Sequence, residues 1–126
     1  MKTFKLTPKL KRRLDRLFSR HILDRANRTC ERCGKANVKC DTAHIIPRSV
    51  IGLRYSPENA CCLCVSCHKY GSESFHQNPL AFYRWYSKIF GEEHISKLLE
   101  ASKIEVIWTE KDVLELEEFL KILDES

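Results

Sequence analysis

No apolar run in the 126 residues approaches the roughly 20 that a membrane-spanning helix needs. The opening MKTFKLTPKLKRR also lacks the apolar stretch of a secretory leader. Both absences exclude a membrane partner and make an intracellular chain the expectation. There is no internal repeat, low-complexity stretch or linker, so 1–126 reads as a single domain with one modest core. Against these scarcities, cysteine is abundant, with seven residues. The odd count argues against a fully paired disulfide framework, and in a reducing compartment metal ligation is the favoured use.

The net charge of +5 is unevenly spread. Residues 1–29 hold ten Lys or Arg, Lys2 among them, against Asp15 and Asp24, whereas residues 110–126 hold seven acids against Lys111 and Lys121. A basic front end suits a polyanion such as DNA or RNA. A solvated helix face explains the same charges.

Three segments follow from the pattern. Thr7 and Pro8 read as cap and first turn of a basic N-terminal helix in 7–27, with Leu10, Leu14, Leu17, Phe18 and Ile22 on its apolar side. Residues 28–77 form the Cys- and His-rich core, in which VKCDTAHII (38–46) has β character up to Pro47 and VIGLRYSPEN (50–59) reads as a loop. Residues 78–126 form a C-terminal helical extension. Asn78, Pro79 and Gly91 bound a helix with Phe82, Trp85, Tyr86 and Ile89 as its stripe. Ile95, Leu98 and Leu99 suggest a second, KIEVIW (103–108) a strand, and Thr109 with Asp112 the capped start of a last one.

Cys30-x2-Cys33 and Cys64-x2-Cys67 can each supply two thiolates from a tight turn, with Gly34 easing the first. Brought together they make a closed, structural four-thiolate Zn2+ site, which leaves no position for substrate. Disulfides or free thiols are the alternative, and Cys61, which also forms a C-x2-C pair with Cys64, is an alternate ligand. Cys40 and Cys62 read as small buried hydrophobes.

His44 and Asn59 lie between the pairs and His68 follows Cys67, giving C-x2-C … His-Ile-Ile-Pro … Asn-x4-Cys-x2-Cys-His. Over roughly residues 30–76 this order resembles the HNH endonuclease family. The resemblance implies an α+β fold: a small ββα-metal (His-Me finger) core with a four-cysteine zinc site, flanked by N-terminal and C-terminal helices. LRYSPENACCLCVSCHKY followed by NPLAFYRWYSKIFGEEHISKLL is further similar to phage NinG (Rap)-type recombination nucleases. It departs from them in Cys-His where many have Cys-Asn.

Phosphodiester hydrolysis needs a deprotonated water, neutralised phosphorane charge and a stabilised leaving oxygen. A histidine titrating near neutrality suits the first, and one divalent cation the other two. The resemblance implies His44 as general base, Asn59 as the residue orienting that base or pinning its loop, and His68 as ligand of a catalytic Mg2+, Mn2+ or Ni2+. Taken singly, His44 is as well a strand histidine in a core, Asn59 a turn residue, and His68 a surface group or spare zinc ligand. Many family members carry Asp or His just before the base, and Ala43 binds nothing. Either His68, waters and DNA suffice, or Asp41 or His76 substitutes, with His76 about two turns beyond His68 on a continued helix. Otherwise the chain is a non-catalytic zinc-ribbon DNA-binding module.

The expected activity is metal-dependent endonuclease cleavage of DNA, including branched recombination intermediates, with RNA a weaker option. One active site would nick and a homodimer would cut both strands. Lys9, Lys11, Arg12, Arg13, Arg16, Arg20 and Arg54 are the expected DNA contacts. Arg48 is placed to reach the scissile phosphate, or else to pair with a surface acid.

Overall fold

Thr7 caps the first helix: its Oγ1 accepts the Leu10 N–H at 3.2 Å, and with Pro8 in the first turn helix α1 runs Pro8–Arg25. Leu14, Phe18 and Ile22, four residues apart, are buried along one side of it. The structure, a computed structural model, describes residues 5–125, and of Glu125 only the backbone; Lys2 of the basic front end lies outside that range.

Strands β1 (Cys40–His44) and β2 (Ala60–Cys64) pair antiparallel, with Cys40 opposite Cys64 and His44 opposite Ala60. The strand expected over 38–46 is shorter because the Asn59 side chain takes over at Ile46. Its Oδ1 accepts the Ile46 N–H at 2.7 Å, and its Nδ2 donates to the Ile46 carbonyl at 3.0 Å. The segment 50–59, expected as a loop, contains two tight helical turns, Ile51–Leu53 and Pro57–Asn59.

Strand alternation divides the sheet into two faces. Thr42 and His44 face α1: Thr42 Oγ1 lies 2.8 Å from Ser19 Oγ, and the His44 ring centroid is 5.4 Å from that of Phe18. Ala43, Cys61 and Leu63 face the other way, packing with Phe82 and Tyr86 of α2 (Pro79–Phe90) and Leu98 of α3 (Glu92–Ser102). On the α1 side, Tyr55 and Ala60 pack with Leu14, Phe18 and Ile22 and with Val113 and Leu120 of α4 (Glu110–Glu125). The architecture is therefore α+β, a two-stranded sheet between helical layers. Among the described residues no helix is long and apolar enough to cross a membrane.

Asn78 Oδ1 accepts the Ala81 N–H at 3.2 Å, and Gly91, at φ +88°, ends α2 and begins α3. Ile89, expected on the apolar stripe, is 61% exposed; Phe90 takes its place, stacked on Tyr86 at 4.5 Å, because 82, 86 and 90 share the inward side. Thr109 and Asp112 cap α4 reciprocally, at 2.9 and 3.2 Å.

The strand expected at 103–108 is absent: 105–109 has no regular structure. That segment instead bridges α3 to α4, laying Trp108 edge-on to Tyr55 at 6.4 Å and filling the space at Gly52, where a Cβ would stand 2.5 Å from Val106 Cγ2. The basic and acidic ends of the chain meet here as well. Arg13 pairs with Glu117 at 2.9 Å and Arg20 with Asp124 at 3.1 Å, both linking α1 to α4.

Leu120 is fully buried against α1. Leu120→Ala is expected to destabilise the fold by about 2–5 kcal/mol, read as a lowered urea midpoint at unchanged m.

Candidate functional site

The Sγ atoms of Cys30, Cys33, Cys64 and Cys67 all lie within 4.8 Å of one another. Each pair forms a knuckle. The Cys33 N–H points at Cys30 Sγ (3.5 Å), the Cys67 N–H at Cys64 Sγ (3.4 Å), and Gly34 turns through φ +77°. Glu31 anchors the first knuckle to β2, its N–H donating to the Cys62 carbonyl at 2.9 Å and its carboxylate accepting the Cys62 N–H at 2.6 Å. The donor set fits zinc. Cys33 Sγ and Cys64 Sγ are 3.7 Å apart, and the edge of a tetrahedron with 2.3 Å Zn–S bonds is about 3.8 Å.

Electrostatics points the same way. Burial opposes ionisation of Cys30, but the N–H donors around its sulfur bring the thiol down to about 7. Burial and the neighbouring sulfurs of Cys64 and Cys30 push Cys67 up. One thiolate forms readily and the next does not, a conflict that a central cation removes. Cys61 stands outside the cluster. It is fully buried opposite Ala43, its thiol pushed up chiefly by burial, surroundings that suit a core residue.

His44 ends β1, and its Nε2 lies 2.8 Å from the Arg54 main-chain carbonyl. A carbonyl only accepts, so Nε2 carries the proton and Nδ1 holds a lone pair. Burial, with the charges of Arg48 and Arg54, moves the imidazole below its ordinary 6.5 against the pull of that carbonyl. Among the described residues Asn59 makes no hydrogen bond to the ring. It is fully buried, and besides its bonds to Ile46 its Nδ2 donates to the Leu53 carbonyl at 3.1 Å. It thus pins the turn that presents the Arg54 carbonyl.

His68 Nδ1 donates to Asp41 Oδ2 at 3.0 Å. Asp41 shares the face of Ala43, so this pair and His44 stand on opposite faces of β1. The helix expected to carry His68 on to His76 is only a wide five-residue turn, Ser66–Tyr70, ended at Gly71. The chain doubles back instead, with the His76 N–H donating to the His68 carbonyl at 3.0 Å, which sets the two rings 4.5 Å apart. Even so, among the described residues the four cysteines are the only set of three or more metal donors this close together.

Of the expected DNA contacts, Arg54 has an internal partner instead. Its Nε and Nη2 fork onto the Asp15 carboxylate at 2.9 and 2.6 Å, and its side chain is 14% exposed. Burial pushes the Asp15 carboxyl up, but Arg54 outweighs it and holds the group below the ordinary carboxylate value. Arg13 and Arg20 have α4 carboxylates as partners. Lys9, Lys11, Arg12, Arg16 and the exposed Arg48 have no ion pair among the described residues. The Arg54 carbonyl and Phe18, which fix the His44 ring, were missed by sequence reasoning: a main-chain acceptor leaves no signature, and Phe18 reads as one more apolar helix position.

Fold and cluster define the class first, an α+β protein built on a two-stranded sheet with two cysteine knuckles whose sulfurs could hold a metal ion. More particularly, the HNH endonuclease family model matches residues 30–72, about a third of the chain, a span that takes in both knuckles, His44, Asn59 and His68. No curated protein and no solved structure matches the chain.

Elemental analysis tests the ligand set. Cys33→Ser should lose bound zinc, whereas Cys61→Ala should retain one equivalent per chain; zinc lost by Cys61→Ala while it stays folded would put Cys61 back among the ligands.

Proposed function

We propose that this protein is a divalent-metal-dependent endonuclease that hydrolyses DNA phosphodiester bonds, with zinc in the four-cysteine cluster as a structural staple. The carrying observation is the bond from His44 Nε2 to the Arg54 carbonyl, which fixes the tautomer and leaves Nδ1 as a neutral base for water. Asn59 acts at one remove, as a positioning residue for the turn that holds His44. Arg48, exposed four residues past His44, brings positive charge to the phosphate.

His68 and Asp41 would hold the catalytic Mg2+, Mn2+ or Ni2+. Their 3.0 Å contact suits a carboxylate that orients an imidazole and leaves Nε2 for the metal. With the Nδ1 proton lost, the same contact suits two adjacent ligands. His76 is the nearest further donor. When bound, the cation supplies Lewis-acid stabilisation of the phosphorane and the departing 3′ oxygen. Products with 5′-phosphate and 3′-hydroxyl ends follow. The resemblance to NinG-type nucleases supports branched recombination intermediates as substrates inside a cell, and a homodimer would be needed to cut both strands. Lys9, Lys11, Arg12 and Arg16 hold the DNA backbone by charge, so binding weakens steeply with salt.

Two observations favour a second reading, DNA binding without hydrolysis. Ala43 is fully buried and offers no ligand, and His44 faces α1 while Asp41 and His68 face away from it.

Incubation of supercoiled plasmid with each metal separates the two. Wild type should nick, and His44→Ala should nick about 10²–10⁴-fold more slowly while still binding DNA; wild type that never nicks leaves only the binding module. The pH profile gives an independent check. The base must be unprotonated, so the rate should fall as pH drops through its pKa. Because His44 is shifted down from 6.5, the acid-side midpoint should lie below that value. A midpoint above it would point to a different base.

A further inference from the structure

A groove of about 620 Å³ opens between the start of α1, the loop after β1 and the bridge from α3 to α4. Its lining brings together three cations, Lys5, Lys11 and Arg48, that have no ion pair among the described residues. Arg54 also borders it but is committed to Asp15, and among the described residues Glu105 is the one carboxylate in the lining. The rest of the lining includes an apolar and aromatic stretch: Ile107 is 59% exposed, and Trp108, half-buried and edge-on to Tyr55, has a buried Nε1 with no hydrogen-bond partner.

Cations alone would suit the outside of a duplex, whose phosphates face outward and whose bases are stacked away. An apolar and aromatic stretch in the same groove as those cations suits an occupant that shows both phosphate and a bare ring. Unpaired nucleotides do that, since every base has a face that stacks. The volume is that of a small-molecule pocket, room for a nucleotide or two but not for the width of a duplex. The groove also adjoins the base: the loop carrying Arg48 leaves β1 at His44, and Arg54, on the same wall, holds the His44 ring through its carbonyl.

We propose that this groove binds unpaired nucleotides of DNA, seating a single-stranded segment beside His44. That the seated strand is a substrate rests on the nuclease reading; that it binds does not.

The test is fluorescence anisotropy of the full-length protein with a 12-nucleotide single strand and a blunt duplex of equal length, at matched salt and without added divalent cation. The single strand should bind roughly tenfold tighter or more. Lys5→Gln with Lys11→Gln should lower the slope of log K against log salt for the single strand by about 1.4. Trp108→Ala should weaken single-strand binding by roughly fivefold or more and spare the duplex. Because Trp108 also packs on Tyr55, Ile107→Asp, at an exposed position, serves as the second variant with the same expectation. A 5-bromouracil strand should crosslink to Trp108 on irradiation.

Equal binding of strand and duplex, or equal losses on both in the Ile107 variant, would overturn the proposal in favour of a plain phosphate patch. Tighter binding of single-stranded RNA would overturn the choice of DNA. The two readings fail separately: a protein that passes these tests but never nicks plasmid keeps the groove and loses the nuclease, and one that nicks with unaltered groove variants does the reverse.

Discussion

Four sulfurs within 4.8 Å of one another bring the segment before β1 against the end of β2, and the rest of the site is arranged around that meeting point. A two-stranded sheet has little stability of its own, and this one has only five residues per strand. The Cys30 knuckle, set beside Cys64 and Cys67, covers the sheet at one end, and a metal held there would clamp it. His68 follows the last of these cysteines directly, so its place beside Asp41 is set by the cluster and not by a helix. His44 sits at the far end of the ladder, opposite Ala60. Five residues of strand span roughly 14 Å, which separates the structural end of the hairpin from the end that presents the imidazole.

The far end needs its own closure, and Asn59 supplies it. A carboxamide buried without partners would cost several kcal/mol. Here each polar atom is used, with Oδ1 on the Ile46 N–H and Nδ2 on the carbonyls of Ile46 and Leu53. The amide imitates one more rung of sheet where Pro47 forbids a strand, and it fixes the turn leading to Arg54. Arg54 is then held twice, its guanidinium by Asp15 of α1 and its carbonyl by His44. The N-terminal helix is thereby coupled to the imidazole through one residue. A basic helix that looks from its charges like a nucleic-acid surface also braces the hairpin, with Phe18 under the His44 ring and Arg13 and Arg20 on α4 carboxylates.

What the sequence revealed and what it hid follow from the range of the interactions. Thr7, Asn78, Thr109 and Gly91 act within a turn of their own positions, so the helix limits were legible from local chemistry. The two C-x2-C pairs were legible because each knuckle closes on itself. Strand β2 was not: Ala60–Cys64 is buried on both faces, shows no alternation, and overlaps the second knuckle in sequence. The segment 103–108 failed in the opposite sense. Its β-branched residues fit a strand locally, but it bridges two helices and pairs with neither strand. His76 reached His68 by a reversal at Gly71 that helical counting did not foresee, and the partners of Arg54, Arg13 and Arg20 lie 39 to 104 residues away in sequence.

Ala43 shows how these constraints act on chemistry. Its side chain faces Cys61, Leu63 and Phe82 with no exposure to solvent. A carboxylate there would be stripped of water in an apolar layer with no cation to meet it, a cost that would raise its pKa and leave it neutral. Two residues back on the same face, Asp41 remains partly exposed, at 23% for the side chain, and meets the His68 imidazole at 3.0 Å. The packing of α2 and α3 thus closes position 43 to an acid and leaves position 41 as a place on this face of β1 where a carboxylate keeps contact with solvent and lies within reach of a histidine. A small residue before His44 is therefore a requirement of the core behind it, and a carboxylate on this face is physically allowed at Asp41.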